Sequence, residues 1–331
     1  MKIAFYDTKP YDLVWFEPLF KEYGYYVKFF DNKLNEDTVV LAKGFDAVCV
    51  FVNDTVSAKV IESLVDNGVG LIALRCSGYN NVDLNAANDK INIVRVPNYS
   101  PTAVAEHAAA LLLSVNRKTY RAYYRTRDKN FSINGLIGID LRGKTIGVVG
   151  TGRIGKVFVN IARGFGMRVI AYDVYPSDED DIEYVSLDEL FRQSDIISLH
   201  CPLTKDNYHI IGSDNISKMK DGVIIINTSR GGLINTAALI EGLKSQKIGG
   251  AGLDVYEEEE HFFFEDFSNE IIDDDELTAL LSFPNVLVTA HQAFFTKEAM
   301  EAIAKITLEN IHAFKSGLEL VNRVSYTDSK G

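Results

Sequence analysis

The apolar segment Lys144-Thr-Ile-Gly-Val-Val149 runs straight into Gly150-Thr-Gly152-Arg-Ile-Gly155 and then into a helix-length amphipathic stretch. No other feature restricts the fold as much. A strand, a G-x-G-x-x-G turn and a helix, in that order, begin a parallel βαβ unit that binds a dinucleotide. Gly150 allows the tight turn, Gly152 lets the backbone approach a pyrophosphate, and Gly155 permits close helix–strand packing. The free N–H groups and the dipole of the helix N-terminus then favour phosphate. The next apolar run, Val169-Ile-Ala-Tyr172, ends at Asp173, eighteen residues after Gly155. That is near the spacing of an acid that bonds a ribose hydroxyl, and its charge repels a 2′-phosphate. The loop therefore points to NAD rather than NADP.

The same alternation extends along the chain. Short apolar runs at Asp46–Val52, Gly70–Leu74, Ile196–Leu199, Val223–Asn227 and Val286–Thr289 are separated by helix-length segments. Continuous rather than alternating hydrophobicity suits strands buried on both faces of parallel sheets. One set of strands fills residues 1–98 and a second begins at Thr145, so two α/β domains are expected. Between them Thr102–Asn116, rich in Ala and Leu, reads as a linking helix that follows Pro101, with Ser100 as its cap. Residues 297–320 are helical in period and carry the chain back to the first domain. The expected division is 1–100 plus 298–331 around 101–297.

Composition excludes several functions. A formal net charge of -12 argues against nucleic acid, whose binding leans on Lys and Arg. Cys49, Cys76 and Cys201 are odd in number and far apart, so neither a disulfide framework nor a metal site is expected, and a cytoplasmic setting is. Met1–Asp7 reads as a short strand without the flanks of a signal peptide, and no apolar run is long enough to span a membrane. Residues 257–276 hold eleven acids and no Lys or Arg, interrupted by Phe262, Phe263, Phe264 and Phe267. Most of this segment reads as a solvated loop pinned by aromatics.

Hydride transfer between a nicotinamide and a 2-keto acid needs a group that pairs with the carboxylate and polarises the carbonyl. It also needs a proton donor and a group that sets the donor's protonation. Arg230, in Asn227-Thr-Ser-Arg-Gly-Gly232 directly after an apolar strand, suits the first role. For the second, His200 and His291 both follow strands, whereas His107 reads as a packed helix residue and His209, His261 and His312 have no such position. For the third, the acidic run after Asp254-Val-Tyr256 offers several carboxylates. Position alone does not choose among these.

Taken together, Leu74-Arg-Cys-Ser-Gly-Tyr-Asn-Asn-Val-Asp83, Val96-Pro-Asn-Tyr-Ser-Pro101, Ala105-Glu-His-Ala108, the glycine loop, Ser198-Leu-His-Cys-Pro-Leu203, Asn227-Thr-Ser-Arg-Gly231, Gly252-Leu-Asp-Val-Tyr-Glu257 and Ala290-His-Gln-Ala-Phe-Phe-Thr296 give the chain a clear likeness. It resembles the D-isomer-specific 2-hydroxyacid dehydrogenases, and within them the bacterial fermentative D-lactate dehydrogenases. The resemblance implies two Rossmann-like or flavodoxin-like, doubly wound domains with parallel sheets and an active site in the interdomain cleft. It implies Arg230, Glu259 and His291 as the catalytic set, the ungapped count from Asp254 falling on Glu259. It implies NAD contacts at Arg153, Ile154, Asp173, Cys201, Pro202, Asn207, Thr228, Ser229, Arg230 and Asp254, and substrate contacts at Ser77, Gly78, Tyr99, Arg230 and His291. A small 2-keto acid such as pyruvate is the implied substrate. A bulkier 2-hydroxy acid, or an NAD-sensing role like that of corepressor relatives, stands as the alternative. The family's dimers suggest that Thr102–Asn116 and Tyr120–Arg125 pack across a two-fold axis, although a purely internal role for the helix fits its composition as well.

Overall fold

The computed structural model describes residues 1–88, 90–177 and 181–325. The chain forms two compact units. Unit 1 comprises Met1–Ser100 and the segment from Thr296 onward, and unit 2 comprises Pro101–Phe295.

Unit 1 is built on five parallel strands: β1 (Lys2–Phe5), β2 (Tyr26–Phe29), β3 (Ala47–Val50), β4 (Leu71–Leu74) and β5 (Asn92–Val94). Their order is β2-β1-β3-β4-β5. Every residue of β3 and β4 is buried, as uninterrupted apolar runs require in a sheet covered on both faces. Phe5 meets the rings of Phe16 at 5.0 Å and Phe29 at 5.2 Å. Such aromatic pairs add about 0.5–1.5 kcal/mol each beyond area burial. The helix Lys297–Lys315, capped by Thr296 Oγ1 accepting from the Ala299 N–H, packs on the helix Pro10–Glu22 and on β4. The Phe314 ring fills the space where a Cβ on Gly70 would stand, 2.8 Å away. Asn310 Nδ2 donates to the Arg95 carbonyl at 2.9 Å, so the returning segment is tied by polar bonds as well.

The carboxyl ends of β1, β3 and β4 gather Asp7, Asp54 and Arg75, all buried. Arg75 lies between the rings of Phe5 and Phe51, at 4.5 and 4.9 Å, and donates to the Asp7 carbonyl at 2.8 Å. Burial pushes Asp54 up to about 7, against the pull of Arg75 and of the Phe51 and Leu34 amides. This cluster anchors the strand end that leads into Ser77 and Gly78.

Unit 2 holds seven parallel strands: β6 (Thr145–Val149), β7 (Arg168–Tyr172), β8 (Glu183–Tyr184), β9 (Ile196–Leu199), β10 (Val223–Asn227), β11 (Ile248–Leu253) and β12 (Val286–Val288). Their order is β12-β11-β10-β9-β6-β7-β8. The chain reverses direction of strand addition between β6 and β9, and the carboxyl ends of strands at such a switch point form a binding crevice. Side chains of β10 alternate between two cores. Val223 and Ile225 join one, and Ile224 and Ile226 join the other. The helix Pro101–Arg117 and the helix Arg153–Gly164 cover the second face.

The helix Pro101–Arg117 therefore packs inside unit 2, through Ala105, Ala108, Leu111, Leu112 and Val115. It does so through glycine. A Cβ on Gly250 would stand 2.8 Å from Val115, and one on Gly252 would stand 3.0 Å from Leu111. β11 is glycine-rich because the helix lies directly on it. That is also why Ile248–Leu253 is hard to read as a strand from propensity, which disfavours glycine there. Among the described residues, no helix is long and apolar enough to cross a membrane.

Candidate active site

The glycine loop joins β6 to the helix Arg153–Gly164. Gly150 has φ +96°, and a Cβ there would strike the Cys201 amide at 2.6 Å. A Cβ on Gly155 would stand 2.0 Å from the Gly150 carbonyl oxygen, so the helix rests on the strand without a spacer. Gly152 differs: a Cβ there meets nothing within 4 Å. Its surroundings are open, and no side chain caps the helix that it begins. Open space before uncapped helix amides fits a bound pyrophosphate, with Arg153 exposed and Ile154 half-buried beside it. Asp173 follows β7, and its Oδ2 accepts from the Thr151 N–H at 2.6 Å and the Thr151 hydroxyl at 3.0 Å. The carboxylate is thus held beside the loop in a fixed place. An Asp173→Ser variant is expected to raise the NADPH-to-NADH ratio of kcat/KM by about tenfold or more, since a fixed charge no longer repels a 2′-phosphate. Steady-state rates with the two cofactors measure this, and an unmoved ratio would remove Asp173 from cofactor choice.

The loops after β9 and β10 interlock. Ser229 Oγ donates to the Cys201 carbonyl at 2.6 Å, and the Ser229 N–H donates to Asn227 Oδ1 at 3.0 Å. Asn207 Nδ2 donates to the Pro202 carbonyl at 2.7 Å. The Thr228 hydroxyl is buried and has no hydrogen-bond partner among the described residues. Arg230 is half-buried and donates to the neighbouring Ser229 carbonyl at 2.7 Å. Among the described residues no carboxylate pairs with it, although the chain is rich in acids. A planar cation kept from internal ion pairs suits an incoming carboxylate.

His291 and Glu259 come together, 32 residues apart in sequence, with His291 Nδ1 2.7 Å from Glu259 Oε1. Glu259 Oε2 accepts from the Tyr256 N–H at 2.9 Å, so both carboxylate oxygens are engaged. A carboxylate only accepts, so the proton at this contact belongs to Nδ1, which leaves Nε2 for another partner. His291 has φ +50°, a left-handed conformation that costs a non-glycine residue about 1–3 kcal/mol. Its N–H donates to the Asp254 carbonyl at 2.7 Å. The buried Asp254 carboxylate accepts from the amides of Gln292 at 2.9 Å and Ala293 at 2.8 Å. Asp254, named above for a cofactor contact, uses both carboxylate oxygens to hold this turn.

The other histidines separate cleanly. His200 packs on Phe158 at 4.7 Å and its Nε2 lies 2.9 Å from the Ser198 hydroxyl. Its Nδ1 is buried with no partner among the described residues. Burial pushes this imidazole down to about 3, so it stays neutral in the fold. In the unfolded chain it titrates near its ordinary value, so the stability it contributes is whole above about pH 6.5 and lost as pH falls toward 3. The slope is about 1.4 kcal/mol per pH unit. Urea unfolding between about pH 7 and 5 should show wild type losing stability more steeply than His200→Leu. Equal slopes would contradict this origin of acid lability.

One pairing gave no sequence signal. Glu257 Oε1 accepts from the Tyr208 hydroxyl at 2.8 Å and from His209 Nε2 at 2.5 Å, while Asn235 Nδ2 lies 3.1 Å from His209 Nδ1. Of the four consecutive glutamates, 257 and 259 each hydrogen-bond a distant histidine, whereas 258 and 260 are exposed and lie 4.0 and 3.8 Å from the neighbouring, exposed His261. Most of the segment is solvated, with Glu258, Glu260, Glu265, Asp266, Glu270, Asp273, Asp275 and Glu276 exposed and Phe263 buried as an aromatic pin, while Asp274 caps the helix Asp275–Ser282. In unit 1, Ser77, Gly78 and Tyr99 are half-buried. Arg95 donates to the Ser77 carbonyl at 2.9 Å, and the N–H groups of Ser77 and Gly78 take no partner among the described residues.

Residues 109–293 match the family model described as D-isomer specific 2-hydroxyacid dehydrogenase, NAD binding domain. A 2-hydroxyacid dehydrogenase homolog of Haemophilus influenzae is 53% identical over 321 residues, covering 96% of this chain and 97% of that protein. The D-lactate dehydrogenase of Escherichia coli is 51% identical over 321 residues, covering 96% of this chain and 98% of that protein. The apo structure of D-lactate dehydrogenase from Escherichia coli superposes with a TM-score of 0.89 at 48% identity, covering 98% of this chain and 100% of that one. With a glycine loop, a placed acid and a histidine–carboxylate pair on a parallel sheet, the chain belongs to the D-isomer-specific 2-hydroxyacid dehydrogenases, and is an NAD-dependent oxidoreductase.

Proposed function

We propose that this enzyme interconverts pyruvate and D-lactate. The observation that carries the reading is the His291–Glu259 pair, 2.7 Å apart, in the same unit as an Arg230 guanidinium that no described carboxylate neutralises. The likeness to the D-lactate dehydrogenase of Escherichia coli supports the choice of substrate. NADH, held by the loop Gly150–Gly155 and Asp173 with Arg153, Ile154, Cys201, Pro202, Asn207, Thr228 and Ser229, supplies the hydride. Arg230 grips the substrate carboxylate and draws charge onto the keto oxygen. Glu259 fixes the His291 ring through Nδ1, and His291 holds a proton at Nε2 for the developing alkoxide. In unit 1 the N–H groups of Ser77 and Gly78, with Tyr99, are assigned to the substrate.

The test is a panel of pyruvate, 2-ketoisocaproate and phenylpyruvate with NADH. Pyruvate should give the highest kcat/KM, by about tenfold or more, because a pocket for a methyl group rejects bulkier side chains. A preference for a larger acid would overturn the substrate and leave the reaction class standing.

We also propose a homodimer. The helix Thr119–Arg127 buries none of its residues, and Tyr123, Tyr124, Phe131, Ile133 and Ile137 are exposed. So large an apolar surface on a soluble chain suits a partner, here a second copy. A cytoplasmic setting is proposed with it, because Cys49, Cys76 and Cys201 are odd in number and far apart in sequence.

A further inference from the structure

Apolar packing explains most inward positions of the helix Pro101–Arg117, and the buried Asn116 is bonded to the Ile139 backbone, but neither accounts for His107. Where Ala105, Ala108 and Leu111 bury apolar groups, His107 presents an imidazole, half-buried. Its Nε2 lies 3.1 Å from Thr289 Oγ1 and 3.3 Å from Asp254 Oδ1. Thr289 Oγ1 in turn donates to Asp254 Oδ1 at 2.6 Å. The protons can be placed from chemistry alone. The carboxylate has none to give, and Thr289 has one, which goes to Asp254. Thr289 Oγ1 must therefore accept, and the donor is the Nε2–H of His107.

This matters because of what Asp254 holds. It is fully buried, and its oxygens accept from the Gln292 and Ala293 amides, while its carbonyl accepts from His291 N–H. These bonds flank the left-handed turn at His291. We infer that His107 is a positioning residue for the acid/base group: it orients the Thr289 hydroxyl, completes the donors around Asp254, and so holds the turn that aims His291. The inference rests on the acid/base reading of His291. Without an ε-position donor, Thr289 is free to rotate, the buried carboxylate loses its side-chain contacts, and the turn relaxes.

Two full-length variants separate positioning from mere packing. His107→Gln keeps an N–H near the ε position, and His107→Asn places its amide one bond short. The Asn variant should lose about 10- to 100-fold in kcat for pyruvate, with little change in the NADH dissociation constant, since a small misplacement of a reacting group costs this much. Its Gln292 and Ala293 amides should exchange with deuterium faster than in wild type. His107→Gln should recover both most of the rate and the protection. An Asn variant with kcat within about twofold of wild type and unchanged protection overturns the inference, as do equal losses in Gln and Asn. If wild type itself fails to reduce pyruvate, the substrate reading falls alone, and exchange at 292 and 293 still decides the role of His107.

Discussion

Replacing His291 by alanine is expected to lower kcat/KM for pyruvate reduction by about 10²- to 10⁴-fold, the usual contribution of a positioned general acid. Two features make the effect large. Glu259 orients the ring through Nδ1, so the group removed is preorganised rather than mobile. Neither His200 nor His209 can take its place. His200 is buried and pushed down to about 3, and His209 spends both ring nitrogens on Glu257 and Asn235. NADH binding, followed by fluorescence titration, should change little, because the glycine loop lies on other elements. Activity within a few-fold of wild type would sink the assignment of His291 as the acid.

Arg230→Gln is expected to raise KM for pyruvate and lower kcat together. A charge-assisted bond to the substrate carboxylate is worth about 1.5–3 kcal/mol, or about 10- to 100-fold in KM. Loss of the charge that polarises the carbonyl should cost about a further 10²-fold in kcat. Both effects are expected from one side chain because, among the described residues, its guanidinium donates only to the neighbouring Ser229 carbonyl, leaving the remaining donors for the substrate. Steady-state kinetics with pyruvate separate the two terms. An unchanged KM would remove Arg230 from carboxylate binding, whatever happened to kcat.

Much of the fold was legible because buried parallel strands announce themselves. The runs at Ile196–Leu199 and Val223–Asn227 read as strands and form β9 and β10. Others were obscured by tertiary demands. β11 reads poorly because a helix lies on its glycines, and β2, with its burial alternating between exposed and half-buried, carries a weak pattern. The site was partly legible for a similar reason. A residue after a strand is visible in sequence, which brought out Arg230, His200 and His291, but burial is not. Only the fold separates a histidine sealed against Phe158 from one that faces a carboxylate. Likewise four adjacent glutamates carry no mark of which partner lies 32 or 48 residues away. Their partners are decided by where the loops after β11 and β12 meet and by the segment 208–209.

The most direct test of the whole account is the chirality of the product. Purified enzyme with pyruvate and NADH, quenched and resolved on a chiral column, should yield one equivalent of D-lactate for each NADH oxidised. L-lactate, a racemate, or tight NADH binding with no lactate formed would contradict it.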